Sequence, residues 1–241
     1  MATSGQSLPT FTADSTAVVT PSRADNYGAA IVNALTGKEF GAVAEGTYFS
    51  AITPTPGTGV IGHAAPTTFD ETKAYIYIYN AAAAGSNVTI YPQFLQLHDT
   101  AVSVGDARMQ FTVTIDSSNR YSSGGSNLTV NNCNGRSTIA TVGTTAKVGA
   151  AVLAAATGSR RILGNINFRG TIDVVEDVYE IVFGGIGGGT GTGSRVATVM
   201  DASRTFVPVA IPPGWGMAIH QWAGSQSTGP TFEVIFGWIE R

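Results

Sequence analysis

The chain has 241 residues, of which 43% are hydrophobic and only 12% charged, with a formal net charge of -3 and a single cysteine, Cys133. The 13 Lys and Arg are scattered, so no basic patch exists to track a phosphate backbone, and nucleic acid is excluded as an expected partner. A lone cysteine excludes an intrachain disulfide and a thiolate zinc site, and no apolar run reaches the ~20 residues of a bilayer-spanning helix.

A chain of this length can form one large domain that buries roughly three quarters of its unfolded surface. Charge well below the usual content of about 25% leaves a surface of Ser, Thr, Ala and Gly, which suits permanent assembly better than a free monomer. Residues 1–12 lack a basic start followed by an apolar stretch, so synthesis and folding in the cytoplasm are expected.

Residues 1–56 read as an N-terminal arm, punctuated near its end by Thr53-Pro54-Thr55-Pro56-Gly57. Within it Asp25 is placed to cap a short helix with Tyr27, Ile31 and Leu35 on one face and Gly37 as its stop. From Lys73 the period becomes two. Tyr75, Tyr77 and Tyr79 alternate with Ile76 and Ile78, which predicts a strand with three phenols on one face.

Residues 88–97 follow as a strand, and then Met109, Phe111, Val113 and Ile115 alternate with Gln110, Thr112 and Thr114, a sheet pattern with one face dry and one wet. Asp116-Ser117-Ser118-Asn119 ends it with turn chemistry. Further strands are predicted at 128–131, 138–142, 162–169, 178–183, 195–200, 206–211, 215–222 and 232–239. In residues 146–156 the alanines favour a helical turn, while Val148 and Val152 fit a strand, and both conformations stay open. About ten strands separated by Gly and Ser turns, with no repeat of 20 to 50 residues, predict an all-β antiparallel sandwich over residues 57–241, jelly-roll-like in its closing strand-turn-strand run.

No catalytic, cofactor or metal residues are expected. The glycines of 184–193 fit no phosphate-loop register, lack a following Lys-Ser or Lys-Thr and precede a strand, so they read as a loop. His63, His98 and His220 lie far apart, and no nucleophile elbow accompanies them. Asp173, Glu176, Asp177 and Glu180 fall within eight residues but miss the EF-hand spacing, so a polar turn balanced by Arg160, Arg161 and Arg169 is the simpler reading. Asn87-Val88-Thr89 and Asn127-Leu128-Thr129 match the glycosylation triplet by chance. Tyr75, Tyr77, Tyr79, Trp215, Trp222 and Trp238 are the residues expected in the core or at an assembly interface, with a glycan platform as the alternative.

Four runs carry a resemblance: His63-Ala64-Ala65-Pro66-Thr67-Thr68-Phe69-Asp70, Asn119-Arg120-Tyr121-Ser122-Ser123-Gly124-Gly125, Val178-Tyr179-Glu180-Ile181-Val182-Phe183-Gly184-Gly185, and Phe232-Glu233-Val234-Ile235-Phe236-Gly237-Trp238-Ile239-Glu240-Arg241. With these, most of residues 57–241 resembles virion structural proteins of tailed bacteriophages, among them jelly-roll decoration or cement proteins of the head. The motifs are structural and bring no catalytic residues. The resemblance implies a non-enzymatic virion protein that forms a homo-oligomer, a trimer first, binds the major capsid protein and stabilises the head, with residues 1–56 supplying part of the contact. The alternative is a tail-associated or receptor-binding module that recognises a host surface glycan, and a third reading is a capsule-degrading hydrolase.

Overall fold

The computed structural model describes residues 38–64, 67–105, 109–156, 159–168, 174–184, 194–196 and 199–241. They form one helix, α1 (Lys38–Glu45), followed by strands β1 (Tyr48–Ile52), β2 (Val60–Ile61), β3 (Lys73–Tyr79), β4 (Ile90–Ala101), β5 (Val104–Gly105), β6 (Met109–Asp116), β7 (Tyr121–Asn127) and β8 (Thr129–Asn132). Strands β9 (Thr145–Leu153), β10 (Arg161–Phe168), β11 (Val178–Phe183), β12 (Ser194–Val196), β13 (Val199–Phe206), β14 (Gly216–Trp222), β15 (Gln226–Thr228) and β16 (Thr231–Glu240) complete the chain. The expected helix at Asp25, Tyr27, Ile31, Leu35 and Gly37 lies outside the described residues, as do Asp173, Arg169 and most of the glycine run.

The larger sheet has the order β12-β13-β11-β4-β16-β1-β8, with β2 also on β16, and the smaller has the order β10-β6-β14-β3-β9-β7. Eight strands carry the architecture. Taken in chain order, β1, β3, β4, β6, β10, β11, β14 and β16 fall into β1-β16-β4-β11 in one sheet and β3-β14-β6-β10 in the other. First beside last, third and sixth following, and second beside seventh, fourth and fifth following, is the winding of a jelly roll. The expected all-β sandwich is thus the observed fold. Its core strand pairs are antiparallel, and the added strand β13 lies parallel to β11.

Alternation explains why β16 closes the barrel-like core: Phe232, Val234, Phe236 and Trp238 are all buried between the sheets, each worth roughly 1.5–3 kcal/mol. Edge-to-face contacts run Phe111–Phe168, Phe168–Tyr179, Tyr179–Phe232 and Phe232–Tyr75 at centroid separations of 5.7, 5.2, 5.9 and 5.8 Å. These rings cross from sheet to sheet and seal one end of the sandwich. Gly237 interrupts the alternation because an added Cβ would stand 2.4 Å from Cε1 of Phe94.

Several expectations are corrected. Residues 42–52 are not arm: β1 pairs with β16 on one side and β8 on the other, Phe49 and Ala51 enter the core, and Ala42 packs with Tyr48 and Ile239 on the sheet's outer side. This five-residue strand is buried on both faces and so shows no polar alternation. Residues 206–211 are not a strand, since β13 ends at Phe206 and only Ile211 bridges, to Ile90. Residues 138–142 are irregular, held where the Glu240 carboxylate accepts from the Val142 amide and the Thr144 hydroxyl. The segment 195–200 belongs to two strands, β12 and β13, and residues 145–153 settle as strand β9 between β3 and β7. Strand β7 has no apolar pattern. Its backbone pairs with β9 through bulges, and Gly124, at φ +72°, brings its α-carbon so close that a Cβ would lie 2.3 Å from the Ala150 carbonyl oxygen.

Candidate functional site

Of the six aromatic residues singled out for assembly, Tyr75, Tyr77 and Trp238 are buried within the single chain. Of the two places expected for them, core and assembly interface, these three take the core and are not available to an interface. A register shift between Ala74 and Ile76 groups Tyr75 with Ile76 and Ile78 between the sheets, whereas Tyr77 joins Ala218 and Leu153 on the outer side of the smaller sheet. The three phenols therefore do not share one face. Tyr75 donates to the Val60 carbonyl, and burial pushes its phenol far above the ordinary range. Trp238 stacks on Phe49 and Phe236 and donates to Glu240. Tyr79, Trp215 and Trp222 are half-buried.

The outer face of the smaller sheet is built on polar contacts. The chain crosses from β6, which ends at Asp116, to β7, which starts at Tyr121, and residues 154–156 and 159–160 belong to a second crossing, from β9 to β10. Arg120, 4% exposed, clamps the two crossings: its Nε and Nη2 donate to the Ala154 carbonyl and Nη2 to that of Glu71. Its Nε also lies 3.8 Å from Oδ2 of the buried Asp116, whose Oδ1 accepts from Ser118 and Ser159. Beneath them the Tyr77 hydroxyl donates to Asn119 and accepts from the Arg120 amide. Burial raises the Tyr77 phenol to about 12, against the opposing pull of the Arg120 and Tyr121 backbone amides.

His220 lies on the same face with both ring nitrogens engaged. A carbonyl can only accept, so Nδ1–H donates to Lys73 at 2.8 Å and Nε2 accepts from Thr114 at 3.0 Å. Phe69 meets the ring edge-on at 5.2 Å. Burial lowers the imidazole pKa to about 4, leaving it neutral near pH 7. Further along, Trp222 Nε1 donates to Thr112, Thr112 donates to Asn165 Oδ1, and Asn165 Nδ2 donates to Gln110 Oε1, at 2.9, 3.1 and 2.7 Å.

The remaining sequence candidates separate. His63 contacts the Ala151 carbonyl. On the outer face of the larger sheet His98 Nε2 donates to Glu176 at 2.8 Å, and Nδ1 lies 3.6 Å from Glu233. There Gln96, His98, Val178, Glu233 and Ile235 line an open hollow of about 310 Å³. The described carboxylates of this run diverge: Asp177 is buried and accepts from the Val174 amide and the Tyr179 hydroxyl, Glu176 takes His98, and Glu180 accepts from Ser203. No group of His, Cys, Asp and Glu among the described residues is arranged to hold a metal. Sequence reasoning missed Asp116, Arg120 and Glu71. The Asp116-Ser117-Ser118-Asn119 turn marked the place, yet nothing local shows that the following arginine folds back over the sheet.

The fold defines a two-sheet jelly-roll protein with a hydrogen-bonded outer layer. Comparison with family models, curated proteins and solved structures found no match to this chain. The likeness to phage virion proteins rests on the four residue runs alone.

Proposed function

We propose that the protein is a structural component of a virion, a decoration or cement protein that assembles with its own copies, as a trimer, and with the major capsid protein. The observation that carries this reading is the jelly-roll winding, an architecture that serves viral capsid domains. Two further features support it. Charged residues make up only 12% of the chain, which suits surfaces covered by neighbours. Four of the ten exposed large apolar side chains among the described residues fall near one another, with Ile61 beside Thr231, Val102 and Val104 just past β4, and Val175 beside Asp99. The role needs no turnover, and none of the polar groups described above is asked to perform any.

The test is immunogold labelling of intact particles with an antibody against residues 42–241. Gold over the heads is the expected result, together with a trimer mass in sedimentation equilibrium. Unlabelled particles overturn the proposal, and gold over the tail moves the protein to a tail-associated role. The contact assigned to the N-terminal segment is examined by deleting residues 1–37, which stops short of α1 and β1. Loss of the truncated chain from heads, with the β domain still folded, is the expected outcome.

A further inference from the structure

We propose that the outer face of the smaller sheet around Trp222 binds a neutral carbohydrate. The inference goes beyond the shell role and does not depend on where the protein sits on a particle. It starts from cross-strand positions: Trp222 of β14 stands opposite Gln110 of β6, which stands opposite Asn167 of β10, while Asn165 stands opposite Thr112. An indole and three amides thus share one patch across three adjacent strands.

The patch is ordered before any ligand arrives. The relay from Trp222 through Thr112 and Asn165 to Gln110 sets the side chains against one another. With the indole N–H directed sideways into the sheet, the ring holds one orientation while remaining only half-buried. Such preorganisation lowers the entropic cost of binding. Among the described residues, the Gln110 amino group and the whole amide of the exposed Asn167 have no hydrogen-bond partner.

The chemistry selects the ligand. Sugar C–H bonds, polarised by neighbouring oxygens, meet the negative face of an indole ring. Hydroxyls both donate and accept, as amides do. Among the described residues, the positions beside Trp222 on β6 and β10 carry Gln110, Thr112, Asn165 and Asn167, so the patch offers hydrogen-bonding groups in place of charge. A protein partner would require a cluster of apolar anchors, and here Trp222 stands among amides. The hollow beside His98 is a weaker candidate, since His98 and Glu233 are already engaged, with Glu176 and the Gly57 amide as their further partners.

The experiment is an array of neutral hexose and N-acetylhexosamine oligosaccharides probed with the full chain, followed by calorimetric titration of the ligands retained. Asn167→Ala and Gln110→Ala are expected to weaken binding by about tenfold or more with the thermal midpoint unchanged. Trp222→Phe keeps a ring and is expected to lose less than Trp222→Ala. Should Trp222→Ala fail to fold, the two amide variants decide. A blank array, or affinity unchanged in both amide variants, overturns the proposal, as does a protein partner that protects this face while the array stays blank. A blank array with gold over the head removes the carbohydrate site and leaves the shell role standing.

Discussion

Acidification should weaken the fold through His220, and the structure sets the size and the pH window of the effect. The imidazole is buried in its neutral form, its pKa pushed from 6.5 to about 4 by burial first and by the Arg120 charge as well, against the opposing hydrogen bond to the Lys73 carbonyl. In the unfolded chain the same group takes a proton near 6.5. The unfolded state therefore binds the proton first as pH falls. Stability is complete above 6.5 and is lost progressively down to about 4. At 1.36 kcal/mol for each pH unit in that window, the full loss amounts to ~3 kcal/mol. That is a large share of the 5–15 kcal/mol typical of a domain. The assay is urea unfolding followed by tryptophan fluorescence at pH 7, 6, 5 and 4, for the natural chain and for His220→Gln. Glutamine keeps a neutral donor and acceptor but cannot titrate, and the carboxylates common to both chains cancel in the comparison. The natural chain should lose ~3 kcal/mol more than the variant between pH 7 and pH 4. Parallel loss in the two chains would refute the reasoning.

Arg120→Met should cost ~3–5 kcal/mol, because it strands the buried Asp116 carboxylate and opens the clamp on the Ala154 and Glu71 carbonyls. Thermal unfolding checks this, and adding Asp116→Asn should recover part of the loss by removing the stranded charge. A different sign is expected at Thr53, whose hydroxyl is fully buried with no hydrogen-bond partner among the described residues. Thr53→Val should hold or raise stability, by up to ~1 kcal/mol, and a clear drop in the urea midpoint would show that the hydroxyl has a partner after all.

Strands with one dry face were legible because a period of two is a local property of the chain. Met109 to Ile115 and Phe232 to Trp238 each declare a buried side, whatever they pair with, and those runs became β6 and β16. With them came the fold class, since many such runs separated by turn residues leave little besides a sandwich. Composition likewise marked out a sparsely charged surface. Where a segment is decided by its neighbours, the sequence is silent. Residues 145–153 became a strand because β3 and β7 offer backbone groups on both sides. The pairing of β7 is blind to its polar side chains, and β1 looked like linker because both of its faces are covered. The burial of Tyr75 and Tyr77 on different sides turns on one register shift. The joining of Asp116, Arg120 and Glu71, and the alignment of Trp222 with Gln110 and Asn165, depend on strand order. Residues far apart in the chain meet only once the jelly roll has placed β10, β6 and β14 side by side.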